Sequence, residues 1–357
     1  MNSPAHAERA HATWSASATD RNVNCPGALA LTKDMPETTN EAADWGTCCH
    51  ELSEMCLRQD KDAVDFLGVT LKGKQYEFEV DDEMAETAQT YIDYVRERFA
   101  EAGPGAKLLI EQKFSLAALG PPFDAGGTDD ALLYAPATRN IEAVDLKGGR
   151  GVVVAAKGNP QLRTYALGAM LEHPNWPVDT ITVTIVQPRA SHPDGRIRSE
   201  TFHVADLIEW TQDLLASMQR SAQALAEYEQ IDEIGEIGAF PEWAGAWLEA
   251  GPHCKFCKAT ATCPALEKKV HDTAGVWFDD LGKPSIAIQA AALTSNWPSS
   301  WTCWTCSATG STRYERMRSA RPKAASSSPA TSWSKRSETG LGRSTSKRSR
   351  KSLRSWA

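Results

Sequence analysis

Between residues 107 and 230 two hydrophobic periods alternate, and their order restricts the architecture more than any single motif. Lys107–Phe114, Asp129–Tyr134 and Ile141–Leu146 read as strands. Asn159–Leu171 reads as a helix with Pro160 in its first turn, where the missing N–H has no partner to lose. Thr180–Val186 alternates cleanly and places Ile181, Val183 and Ile185 on one face. Arg198–His203 suits one more strand, and Val204–Gln230 a long helix. Upstream, residues 46–58 have helical spacing, with Thr47 as the expected N-cap. Gln75–Val80 alternates like a strand. Glu83–Ala102 is amphipathic, with Met84, Ala88, Tyr91, Tyr94 and Val95 on the buried side. Helix, strands, helix, strand, helix is the order of an α/β layer architecture.

The 357 residues are room for one large domain or two ordinary ones. No apolar run approaches the ~18 residues of a membrane span, and the first residues lack the apolar core of a secretory signal. A cytoplasmic chain with no membrane partner is expected. Nine cysteines, an odd number, then argue against a disulfide framework and for metal, cluster or free thiols. The net charge of −8 sums an acidic body and a basic tail. Residues 291–357 are rich in Ser, Trp, Lys and Arg and carry no periodicity. A disordered basic arm and an ordered extension are both open. Trp and Cys are unusual in basic arms, which favours sequence out of frame from about residue 293. The Cys303-x-x-Cys306 pair inside this stretch then reads as incidental.

Two acids stand at strand ends. Gly126-Gly127-Thr128-Asp129-Asp130 carries the first, and Asp145-Leu146-Lys147-Gly148-Gly149 the second. Residues i and i+2 of a strand share a face, so Asp145 and Lys147 point the same way. Two carboxylates and a histidine can hold a hard divalent cation such as Mg²⁺. A lysine beside that ion can orient water and offset charge on a phosphate. Each piece alone is commonplace: an acid and a lysine at a strand end are usually a solvated pair, and His50 alone is usually a helix-face histidine.

The joint pattern is more specific. Gly46-Thr47-x-x-His50, Gly127-Thr128-x-Asp130, Asp145-x-Lys147 and Gln161-x-x-x-Tyr165 follow one another in order. This resembles the RecB-like branch of the PD-(D/E)xK nuclease superfamily. The resemblance implies a restriction-endonuclease-like core, a central mixed sheet flanked by helices. It implies metal roles for His50, Asp130 and Asp145, a catalytic role for Lys147, and a substrate-side or supporting role for Gln161 and Tyr165. Glu111 is a possible supporting carboxylate. Asp129 is the fallback for Asp130, because the position before the family's acid is commonly apolar.

Cys254-x-x-Cys257 and Cys263 give three thiols in ten residues of a Pro-flanked loop. They need a fourth ligand for a zinc site or a four-cysteine cluster. His253 is nearest in sequence, and Cys25 is the distant candidate. One N-terminal cysteine plus a C-terminal trio resembles the iron–sulfur branch of RecB-like nucleases, which includes the CRISPR-adaptation exonucleases. Over most of residues 12–270 the chain also resembles a phage-encoded relative without an assigned activity. In that branch a [4Fe–4S] cluster on Cys25, Cys254, Cys257 and Cys263 would join the chain's two ends; Zn²⁺ is the alternative. Cys48, Cys49 and Cys56 read as small packing residues.

The resulting division is an N-terminal segment 1–45 with Cys25, a nuclease core 46–235, a cysteine segment 236–290 and the tail 291–357. The implied activity is Mg²⁺- or Mn²⁺-dependent hydrolysis of DNA, by an exonuclease in phage replication or recombination, inside a bacterial host. Phage replication or recombination proteins are the implied partners. Lys147, Arg150, Lys157 and Arg163 are the cations placed to meet phosphates in an otherwise acidic body. The rival readings are a non-catalytic nucleic-acid-binding or scaffold protein on the same fold, and a zinc-stapled nucleotide-handling or RNA-cleaving enzyme.

Overall fold

Three short polar side chains set where the principal helices begin. In the computed structural model, which describes residues 12–234 and 240–277, Asn40, Asp81 and Asn159 each accept a backbone N–H three residues on. Each satisfies a donor that a helix start leaves unpaired. The elements are β1 (Trp14–Ser15), α1 (Thr19–Asn24), α2 (Ala28–Thr32), α3 (Glu41–Gln59), β2 (Thr70–Lys72), β3 (Glu77–Glu79) and α4 (Asp82–Glu101). They continue with β4 (Lys107–Ser115), β5 (Ala125–Ala135), β6 (Asn140–Leu146), α5 (Pro160–Glu172), β7 (Thr180–Val186) and β8 (Ile197–His203). The last helices are α6 (Val204–Ile234), α7 (Phe240–Trp247) and α8 (Pro264–Trp277).

Six strands form one mixed sheet with helices on both faces. β4, β5 and β6 are antiparallel neighbours, β7 runs parallel to β6, and β8 closes antiparallel to β7. The parallel β6/β7 pair needs a crossover, which α5 supplies. β5 and β6 stop pairing at Ala131 opposite Val144. Beyond that point β1 lies along β5, with Trp14 opposite Ala125 and Ser15 opposite Gly126. β4 occupies the other edge of β5 as far as Ser115 opposite Gly126. The sheet therefore forks between β6 and β1.

One face carries α3 and α4, whose Cys48, Cys49, Leu52, Cys56, Met84 and Tyr91 pack on Ala131, Leu133, Val144 and Leu146. The three cysteines are fully buried there, as packing residues would be. The other face carries α5 and α6, with Leu162, Ala166, Leu207 and Met218 on Ala143, Ile181, Val183 and Ile185. A fully buried Leu or Ile contributes ~1.5–3 kcal/mol. A separate apolar cluster joins Cys25 and α2 to the far end of α6 and to α7. Gly27 donates its N–H to the Trp247 carbonyl (2.8 Å), and a Cβ there would fall 2.7 Å from Leu248. The N-terminal and cysteine-bearing segments thus dock backbone to backbone.

Two local expectations are corrected. Thr47 is not the N-cap: α3 already starts at Glu41, and the Thr47 hydroxyl donates to the Ala43 carbonyl (3.2 Å) from inside the helix. Gln75–Val80 contributes only β3, because the N–H groups of Gln75 and Tyr76 go to the Asp44 carboxylate (2.6 and 2.9 Å) instead of a ladder. The tail 291–357, with Cys303 and Cys306, lies outside the described residues. No helix among the described residues is long and apolar enough to cross a membrane.

Candidate functional site

The β4–β5 register sets Glu111, between the pairs Ile110–Ala131 and Gln112–Asp129, opposite Asp130, and one step past the last β5–β6 pair Asp130 stands opposite Asp145 of β6. Three carboxylates therefore cross three neighbouring strands in one row, at the fork of the sheet. Glu111 takes a left-handed backbone conformation, φ +53°, and the β4–β5 ladder skips it. Such a conformation costs a non-glycine residue ~1 kcal/mol or more. α3 brings His50 to the same place, with Nδ1 3.3 Å from Asp130 Oδ2. Ligand atoms of His50, Glu111 and Asp130 all lie within 4.8 Å of one another.

A hydrogen-bonded network adjoins this trio. Lys147 Nζ reaches both carboxylate oxygens of Asp145 (3.0 and 2.8 Å) and donates to Gln161 Oε1 (3.1 Å). Gln161 Nε2 in turn donates to Asp145 (3.2 Å) and to the Tyr165 hydroxyl (2.6 Å). The Leu146 N–H donates to Asp130 Oδ2 (2.8 Å), tying β6 to β5 where their ladder has ended. His50, Asp130, Asp145, Lys147, Gln161 and Tyr165 all line a single cleft of about 360 Å³. Asp129, one residue along β5, is sent to the other side of the strand by alternation. It is buried, and neither of its carboxylate oxygens has a hydrogen-bond partner among the described residues.

Burial and charge divide the titrations. Burial works against a charged His50, but Asp130, with Glu111 and Asp145, lifts it to about 9. Burial also opposes ionised Asp130, and there the His50 charge wins and holds the carboxyl below its usual range. Burial, only partly offset by Lys147, raises Asp145 to about 6. Asp129, desolvated and beside Asp130 and Asp145, is pushed well above the usual carboxylate range. Without a metal, the site is a protonated imidazole between acids. A divalent ion would replace that proton among the same donors.

The cysteine site forms between the docked segments. Cys25, Cys254, Cys257 and Cys263 line one small void with Arg21, Glu249 and His253. Burial, with the three other cysteines adding, pushes the Cys25 thiol up to about 11. The N–H of Glu249 donates to Cys25 Sγ (3.4 Å) and that of Gly251 to Cys254 Sγ (3.3 Å). His253 Nε2 lies 2.9 Å from the Glu249 carbonyl oxygen, so that ring nitrogen is engaged by the backbone.

The family described as "Protein of unknown function (DUF2800)" matches residues 11–297, which spans β1 through the cysteine segment. The chain belongs to the DUF2800 family. Among solved structures it is similar to a phage related exonuclease from Haemophilus somnus 129PT, at 13% identity over 61% of this chain and 97% of that one, with a TM-score of 0.24. It is also similar to the protein SSO0001, at 12% identity over 68% of this chain and 95% of that one, with a TM-score of 0.21.

In this DUF2800 chain two of the expected phosphate-facing cations are otherwise committed. Arg150 is paired with Glu83, and Arg163 lies 3.6 Å from Glu200 and over the Phe202 ring. Lys157 is exposed. Arg189, which carries no motif, stacks on Trp45 (3.8 Å to the ring centroid) and donates to the Gly148 carbonyl (2.9 Å). It braces the loop that follows Lys147. Glu111 was readable only as a supporting acid, because nothing local marks a strand residue for positive φ.

Proposed function

We propose that this protein is a divalent-metal-dependent DNA nuclease of the RecB-like PD-(D/E)xK type, acting as an exonuclease in phage DNA replication or recombination. The observation that carries this reading is the His50–Glu111–Asp130 donor set, of which His50 and Asp130 share one cleft with the Asp145–Lys147–Gln161 network. One imidazole nitrogen and two carboxylates, with Asp145 adjacent, suit Mg²⁺ or Mn²⁺. Such an ion, when bound, supplies Lewis acidity toward a phosphoryl oxygen and lowers the pKa of water.

The chain's own residues do the rest. Asp145 holds Lys147 Nζ at the cleft wall, where the ammonium meets a phosphate oxygen or a water. Gln161 fixes that lysine from the other side, and Tyr165 fixes Gln161. Lys147, Gln161 and Tyr165 are therefore hydrogen-bonded into one unit, with Gln161 and Tyr165 both carried by α5.

The cysteine void is assigned to a [4Fe–4S] cluster held by Cys25, Cys254, Cys257 and Cys263. Four thiols around one void, two of them receiving N–H···S bonds, fit such a group. Zn²⁺ on the same four thiols is the alternative, and iron with sulfide in the purified protein decides between them.

The test is incubation of the purified protein with end-labelled single-stranded and duplex DNA, in Mg²⁺ or Mn²⁺ and in EDTA. Metal-dependent loss of label is expected, reduced at least ~100-fold in Asp130→Asn and in Lys147→Ala. Intact DNA with the wild type in both metals would leave a non-catalytic binder as the better reading.

A further inference from the structure

A polyanion entering this cleft meets acids first, and most of the cations there are already spent on them. Lys147 is held by Asp145, and His50 faces Asp130. The remaining cationic side chain lining the cleft is Lys113, which is exposed and makes no ion pair among the described residues.

Its position follows from the strand register. Lys113 of β4 is the ladder partner of Thr128 of β5, and Thr128 also lines the cleft. Each stands two residues along its strand from the Glu111–Asp130 pair, and both line the same cleft as Asp130. Two strand residues span ~6.6 Å, of the order of the separation between neighbouring phosphates on one nucleic-acid strand. Directly paired side chains have Cβ atoms ~5 Å apart, close enough for an ammonium and a hydroxyl to share one phosphate oxygen pair.

We propose that Lys113 and Thr128 form the binding site for the phosphate next to the scissile one, and so hold the strand in register over the metal donors. This rests on the nuclease reading above. Lys113 supplies charge and Thr128 a directional O–H, the combination that positions a phosphate without reading its base. A further consequence is that the substrate must extend past the cleaved bond on the β4 side of the cleft, so a dinucleotide with no phosphate there is a poor substrate.

The experiment is steady-state cleavage of oligonucleotides by wild type, Lys113→Gln, Lys113→Arg and Thr128→Val. The substrates carry one neutral methylphosphonate, moved through each phosphate flanking the scissile position. At one flanking position the substitution raises the wild-type KM about tenfold with kcat nearly unchanged, and it has no further effect on Lys113→Gln. Lys113→Gln on unmodified DNA shows the same KM rise and a salt dependence shallower by about 0.7, whereas Lys113→Arg restores both. Thr128→Val gives a smaller KM rise of the same kind. If Lys113→Gln responds to every methylphosphonate as the wild type does, the assignment is overturned. If the wild type cuts no DNA in either metal, the nuclease reading has failed and this site falls with it.

Discussion

Glu111 stands across the β4–β5 ladder from Asp130 with its backbone at φ +53°. Ladder pairs on both sides, Ile110 with Ala131 and Gln112 with Asp129, hold it in that conformation. Local strain of ~1–3 kcal/mol survives only where the surroundings over-determine it. Here it converts a histidine–aspartate pair into a three-donor set.

Glu111→Gln keeps the shape and removes the charge. It should weaken Mn²⁺ binding at least about tenfold by isothermal titration, with little change in unfolding midpoint. Unchanged affinity would remove Glu111 from the donor set and leave the site to His50, Asp130 and Asp145.

His50 makes the metal-free protein pH-sensitive. Its folded value of about 9 lies above the ordinary 6.5, so its stabilising contribution is complete below pH 6.5 and disappears as the pH rises through 9. The loss amounts to about 3 kcal/mol. Metal binding needs neutral imidazole and expels that proton, so Mn²⁺ affinity moves the opposite way. Melting in EDTA should therefore give a midpoint that falls from pH 6.5 to 9, while the shift produced by Mn²⁺ grows. Parallel behaviour of the two would contradict the pairing of His50 with Asp130.

Asp129 carries the opposite kind of burden. Its carboxyl is held well above the usual range by burial and by Asp130, so the folded state keeps a proton that the unfolded chain releases above about pH 4. The penalty grows as pH rises from there toward the folded value. Asp129→Asn should leave metal-free stability unchanged near pH 4 and raise it by about 1–3 kcal/mol near pH 7. Urea denaturation at the two pH values decides; an equal effect at both would mean the carboxyl is not protonated in the fold.

Gly168 sets how closely α5 approaches the strands. A Cβ there would lie 2.1 Å from Phe114 Cδ2, and Phe114 packs edge-on to Tyr165 (ring centroids 6.0 Å apart). Gly168→Ala should cost about 1–3 kcal/mol and lower cleavage by displacing Tyr165 and Gln161. Adding Phe114→Leu should recover part of the stability, which a double-mutant cycle in urea measures.

Cys25 separates a shared cluster from a local one. Closing the 229-residue interval between Cys25 and Cys254 is worth ~5 kcal/mol in loop entropy. Cys25→Ser should lose iron and sulfide together, assayed after anaerobic purification, and unfold at lower temperature. Cys56→Ala, deep in the α3–α4 core, should lose stability but keep both. Full iron in Cys25→Ser would assign the fourth position to another residue.

The amino-acid sequence by itself determined the order of strands and helices between residues 83 and 230, because periodicity is a property of neighbouring residues. β7 alternates and α5 starts at Pro160 as read. It also determined that Asp145 and Lys147 share a face, and that Gln161 and Tyr165 lie one helical turn apart. Tertiary structure decided the rest. Adjacent Asp129 and Asp130 are equivalent in sequence, and only the anchoring of β5 between β4 and β6 turns Asp130 toward His50. The same register selects Glu111. Asp44 draws the N–H groups of Gln75 and Tyr76 out of a strand from 31 residues away, and the docking of Gly27 on Trp247 carries Cys25 to the C-terminal thiols. Each of these outcomes depends on which distant segments pack together, and local propensity holds no record of that.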